Sequence, residues 1–311
     1  MLFLIPTFAM IVLCALAAAW FILPGKPRQV PLGGQFTEAE MGARRYLEYR
    51  PANLQAGAGI LLVLHGGRQN PQKIRRASGY RFEQLADERG FLLVYPEAYQ
   101  GHWNDARKQL DVPARRAQVD DCAFLAQLIE RLVQAHGADP KRVMLFGYAS
   151  GGQMALRMAL EKPDKLAGIA AVAANLPVPA NDIAQHRRRM VPALLVHGTV
   201  DPISPFEGGQ ESVFGFAGRG EVLSARATAA YFGELAQARG ESPEPLPNPG
   251  GARSEVIVHR WVVAAGARVA LYELRGGGHV LPQPNGRAPR VLGVKAKGFD
   301  VTTVACDFFG L

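Results

Sequence analysis

From about residue 45 onward, short apolar runs alternate with longer stretches that are apolar along one helical face, and this alternation restricts the fold more than any other feature of the chain. The apolar runs cover residues 45–49, 60–65, 91–95, 143–147, 168–173 and 193–197. Most are continuous, as expected of strands covered on both faces, so they predict a parallel core. Helical patterns cover residues 81–89, 120–135, 152–160 and 224–239, with Gly90 and Gly240 where helix C-caps belong. Residues 256–263 and 267–274 flank Gly266 and predict a hairpin that extends the sheet, and the breaker-rich stretch 241–251 predicts a surface loop. Neither an internal repeat nor a second domain is visible. The expected fold is a single α/β domain with a mostly parallel central sheet flanked by helices.

A chain of 311 residues with 48% hydrophobic and 20% charged residues can bury a full core, which excludes disordered, collagen-like and polytopic membrane classes. The net charge of +8 raises the question of a nucleic-acid partner. Its distribution argues against one: the single tight basic cluster is Arg187-Arg188-Arg189, with no aromatic interleaving and no basic helix.

The first 24 residues carry no charged side chain, and Ala17-Ala18-Ala19 offers small residues suited to signal-peptidase cleavage. The segment lacks a basic start. At ~1.5 Å per residue it is also long enough for a ~30 Å bilayer, so an uncleaved anchor is the alternative. The expected division is therefore 1–24 signal peptide or N-terminal membrane anchor, 25–40 linker and 41–311 folded domain. The expected location is periplasmic or secreted, with any membrane contact only through the leader. Beyond the leader only Cys122 and Cys306 remain. Cys122 falls on an apolar stripe with Val119, Leu125, Ile129 and Val133, which favours a small core residue over half of a disulfide.

Four motifs fall at predicted strand ends, where open α/β sheets place their sites. His65-Gly66-Gly67-Arg68 closes one strand with a glycine pair whose N–H groups suit a developing oxyanion. Gly147-Tyr148-Ala149-Ser150-Gly151-Gly152 joins a strand to a helix through a tight turn. His197-Gly198-Thr199-Val200-Asp201 ends another strand at a carboxylate, and Gly276-Gly277-Gly278-His279 follows the last strand. Turn, acid and histidine in this order match the order of α/β-hydrolases.

With these motifs, and with Val94-Tyr95-Pro96-Glu97, Trp103-Asn104-Asp105, Val119-Asp120-Asp121, Pro205-Phe206-Glu207-Gly208-Gly209 and Asp307-Phe308-Phe309, the chain resembles the polyhydroxybutyrate depolymerase and feruloyl esterase group of α/β-hydrolases. The resemblance covers nearly everything after residue 40. It implies an exported serine esterase acting on small or oligomeric esters as a monomer, without cofactor or metal. It assigns Asp201 as the acid that orients the base His279, and the backbone N–H groups of Gly67 and Ser150 as oxyanion donors. No residues are left over for a separate polymer-binding module, which favours soluble or short-chain esters.

The departure is at the centre: the register of the glycines puts Ala149 where the family carries its nucleophilic serine. A slip that makes Ser150 the nucleophile would place the bulk of Tyr148 at a tightly packed small position, and Gly151-Gly152-Gln153-Met154 fixes the unslipped register. Ser150 is expected instead to lend its N–H to the oxyanion and its side chain to the helix start. The alternative to an esterase lacking its serine is a non-catalytic pseudo-hydrolase that binds an ester or acyl ligand in the retained pocket. Plainer roles are also weighed. Asp201 before Pro202 could merely shape a turn, and Trp103 could either line the pocket or pack. His65 and His197 read as hydrogen-bonded structural histidines, and Asp120-Asp121 as a helix cap. Arg68 would set a cation near the acyl site.

Overall fold

A computed structural model describes residues 25, 27, 29–238, 240–246, 255–262, 269–286, 288–296 and 298–311. The leader expected at 1–24 lies outside the described residues. In chain order the elements are β1 (Gln35–Met41), β2 (Arg44–Arg50), β3 (Ile60–Leu64), α1 (Pro71–Ala77), α2 (Arg81–Arg89), β4 (Leu92–Pro96), α3 (Pro113–Arg116) and α4 (Asp121–His136). They continue with β5 (Val143–Tyr148), α5 (Ser150–Glu161), β6 (Gly168–Val172), β7 (Ala193–Gly198), β8 (Gly209–Gln210), β9 (Glu221–Val222), α6 (Ala225–Leu235), β10 (Glu241–Leu246), β11 (Val256–Trp261), β12 (Val269–Leu274) and α7 (Val301–Phe309).

The large sheet runs β1-β2-β4-β3-β5-β6-β7-β12-β11-β10. From β4 through β12 every neighbour is parallel, while β1, β2, β10 and β11 add antiparallel margins. All five residues of β3 are buried. On one face Ile60, Leu62 and Leu64 pack with Leu125 of α4, Met154 of α5 and Phe232 of α6. On the other, Leu61 and Val63 meet Ile74 of α1, Phe82 of α2 and Phe309 of α7. Continuous apolar strands are thus covered on both faces, as the two-sided burial of a parallel sheet requires. Cys122 and Cys306 are both free and buried, and they lie in the two different clusters, so the sheet separates them.

Several boundaries differ from expectation. The first strand, β1, occupies residues assigned to the linker 25–40. Its sequence Gln-Phe-Thr-Glu-Ala-Glu-Met carries little apolar signal because it is a largely exposed edge strand paired only with β2. Residues 241–246 form edge strand β10 rather than a loop. Pro243 and Pro245 are two residues apart, so both missing N–H groups fall on the same margin, which an edge strand can leave unpaired. Helix α6 stops at Leu235 and not at Gly240; Gln237 turns left-handed at φ 56°, leading the chain toward β10. The turn at 263–268 within the predicted hairpin lies outside the described residues, but β11 and β12 pair antiparallel as expected.

Candidate active site

Each of the four motifs lies at the carboxyl end of a parallel strand: Gly67 follows β3, Ala149 follows β5, Asp201 follows β7 and His279 follows β12. The turn after β5 is the most constrained. Ala149 has φ 51° and ψ −117°, and it is the sole residue of 147–152 with positive φ. Its N–H donates to the Val172 carbonyl at 2.8 Å and its carbonyl accepts from Gln153 N–H at 2.9 Å, so both sides of the strained peptide are tied down. The flanking glycines are there because nothing larger fits. A Cβ on Gly147 would lie 2.1 Å from the Gly151 carbonyl oxygen, and one on Gly151 would lie 2.3 Å from the Leu64 carbonyl oxygen.

Ala149 therefore stands at the apex, and Ser150 is the first residue of α5. The N-cap is Ala149, with no side-chain cap bond, so the structure does not give Ser150 the helix-starting role expected of its side chain. Its N–H, in the first turn, has no intrahelical acceptor. Gly67 comes beside it: a Cβ built on Gly67 would be 3.7 Å from the Ser150 Cβ.

Asp201 and His279, 78 residues apart, meet through Nδ1 and Oδ2 at 2.8 Å. The other carboxylate oxygen accepts from the N–H groups of Ile203 at 2.8 Å and Ser204 at 2.9 Å. Burial alone would raise the Asp201 carboxyl, but the charge and hydrogen bonds of His279 and His197 outweigh it and hold it well below the usual carboxylate range. Asp201 is thus an ionised acceptor fixed on both oxygens. With Nδ1 engaged, Nε2 is the imidazole nitrogen left for proton exchange. The His279 carbonyl accepts from the Tyr148 hydroxyl at 2.8 Å, and the two rings lie 5.5 Å apart, so the residue next to the apex also braces the histidine loop.

The other two strand-end histidines, His65 and His197, are held by backbone hydrogen bonds. His65 donates Nδ1–H to the Gly66 carbonyl and accepts the Ala98 N–H on Nε2 at 3.1 Å; burial lowers its pKa to about 4. His197 Nε2 bonds the Ser204 carbonyl at 2.9 Å. Trp103 packs fully buried, its indole donating to the His65 carbonyl at 2.8 Å. Asp120 caps α4 through Ala123 N–H, as read from sequence. Asp121 corrects the expectation: it is fully buried, pairs with Arg44 at 2.8 Å and accepts the Asn104 N–H.

One group was not anticipated. Arg107, fully buried, pairs with Asp105 and Glu211. Glu211 also accepts from Gln153 of α5 at 3.1 Å and from the Ser204 hydroxyl at 3.3 Å. It thereby joins the helix behind Ala149 to the loop holding Asp201. Asp105 belongs to the Trp103-Asn104-Asp105 motif, but nothing local marks Arg107 or Glu211, which lie 104 residues apart.

Comparisons with known proteins agree with this architecture. The Phospholipase/Carboxylesterase family matches residues 103–214. The Nocardia uniformis subsp. tsuyamanensis protein named "Putative esterase NocK" is 31% identical over 268 residues, covering 82% of this chain and 75% of that protein. Among solved structures, the acetyl xylan esterase from Aspergillus awamori superposes with a TM-score of 0.59 at 14% identity, over 89% of this chain and 99% of that one. The poly(3-hydroxybutyrate) depolymerase LpqC from Bordetella parapertussis gives 0.50 at 19% identity, over 80% and 86%.

Proposed function

The chain belongs to the polyhydroxybutyrate depolymerase and feruloyl esterase group of α/β-hydrolases, and from that premise we propose that it is an exported carboxylic-ester hydrolase site complete except for its attacking atom. The observation that carries this reading is the Asp201–His279 pair, bonded at 2.8 Å beside a strained turn whose apex is Ala149.

With serine at 149, the hydroxyl would attack the ester carbonyl while its proton passes to His279 Nε2, and Asp201 would hold the resulting imidazolium. The N–H groups of Gly67 and Ser150 would take up the oxyanion. Collapse would expel the alcohol with the proton from His279, and water would release the acid by the same steps in reverse. With alanine, the ester binds and the first bond cannot form. Loss of a triad serine costs roughly 10⁶ in turnover, so the chain with Ala149 should be strongly impaired.

Turnover of acetyl, butyryl, hydroxybutyryl and feruloyl esters by Ala149→Ser tests the reading. Activity should appear, approaching that factor, and vanish again with His279→Ala or Asp201→Asn. A folded Ala149→Ser protein inert on all four would favour the pseudo-hydrolase, whose specific support is Ala149 itself. Export rests on the uncharged leader at 1–24.

A further inference from the structure

A cavity of about 680 Å³ opens beside the turn that carries Gly67. Gly67 and Tyr148 line it on the Ala149 side, much of the rest is apolar, and Arg68, Lys73 and Arg76 are exposed residues of its lining; among the described residues no Asp or Glu lines it. Arg68 is held at φ 58° by its N–H bond to the Gly101 carbonyl at 2.8 Å, and its own carbonyl accepts Lys73 Nζ at 3.1 Å. Among the described residues neither Arg68 nor Arg76 has an acidic partner. The contrast with the next residue on α1 is direct: Arg75 pairs with buried Glu83 at 2.6 Å.

Lys295 Nζ bonds the carbonyls of two lining residues, Gln283 at 2.7 Å and Gly286 at 2.8 Å, and has no carboxylate partner among the described residues. Cations that share a partly apolar cavity repel one another and are relieved by a bound anion. The guanidiniums of Arg68 and Arg76 lack, among the described residues, the acidic partner that the neighbouring Arg75 finds in Glu83.

We infer that this cavity selects esters carrying a second, ionised carboxylate, held by Arg68, Lys73 and Arg76 while the ester carbonyl sits at Gly67. The inference rests on the ester-site reading above and adds the substrate class. Because no nucleophile stands at 149, the unaltered full chain can be titrated with intact esters, so binding is measured apart from catalysis. Two probes with acyl chains of the same carbon length suffice: monophenyl glutarate, which ends in a carboxylate, and phenyl valerate, which ends in a methyl group.

Calorimetric titration at low ionic strength should show the glutarate ester binding about tenfold tighter or better. Its advantage should shrink in about 0.5 M salt, where screening shortens the reach of surface charge. Arg68→Gln with Arg76→Gln should remove the advantage and leave phenyl valerate binding unchanged. Equal binding of the two probes, weaker binding of the glutarate ester, or no binding of either overturns the inference, and the unaltered chain alone gives that answer. The two readings fail separately. An inert Ala149→Ser protein that binds the glutarate ester in this salt-dependent way would sink the hydrolase reading alone. An active one that turns over both esters with the same KM would sink the carboxylate pocket alone.

Discussion

Ala149 carries positive φ without the freedom of glycine, and strain of this kind costs on the order of 1–3 kcal/mol unless the surroundings impose it. The surroundings here are backbone atoms packed against Gly147 and Gly151. Gly151→Ala should therefore destabilise the fold by about 3 kcal/mol or more, read as a lower urea midpoint. Ala149→Ser should change it by under about 1 kcal/mol. A second prediction concerns His65. Its folded pKa of about 4 lies below the unfolded value near 6.5, so the unfolded chain binds the extra proton first. Stability is fully present above pH ~6.5 and is lost as pH falls toward ~4, by about 3 kcal/mol. His65→Gln should remove that part of the pH dependence in denaturant titrations across this window. Sequence reading located Gly67, Ala149, Asp201 and His279 because each follows a strand in a short motif. It gave Tyr148 no role in the unslipped register, since nothing local shows that its hydroxyl reaches the His279 carbonyl.

Elements with a strong period were legible, and those whose signal is tertiary were not. Helix α4 is half buried and half exposed along its length, and its pattern marked it within a residue at each end. Helix α1 has seven residues of which only Pro71 and Ile74 are buried, too few to show a period, although Asn70 caps it through Lys73 N–H. Helix α7 packs against both α2 and the sheet, and its nine residues are too few to show a clear period. Long-range polar contacts were equally invisible. The buried Arg107–Glu211 pair ties α5 to the loop of Asp201, and Glu211→Ala would leave the guanidinium buried with Asp105 alone. The expected cost is about 3–5 kcal/mol, measurable by chemical denaturation. In an Ala149→Ser background the milder Glu211→Gln should lower kcat more than KM, since what it loosens is the geometry between turn and acid loop.

For the molecule as a whole, six parallel strands bring four motifs from 214 residues of chain, Gly66 to His279, to the carboxyl end of the sheet. The uncharged segment 1–24, read as an export leader, makes a prediction at this scale: expressed in a Gram-negative host, the chain should fractionate outside the cytoplasm, and recovery of full-length soluble protein from the cytoplasm would count against export. The central claim is that position 149 is the attacking position and that His279 and Asp201 stand ready to serve it. Reaction with a serine-directed phosphonate, mapped by peptide mass spectrometry, tests this most directly. The unaltered chain should remain unlabelled, and Ala149→Ser should take up one equivalent at residue 149, with labelling slowed severely by His279→Ala. Stoichiometric labelling of Ser150 in the unaltered chain, or a folded Ala149→Ser protein that takes up none, would contradict the account.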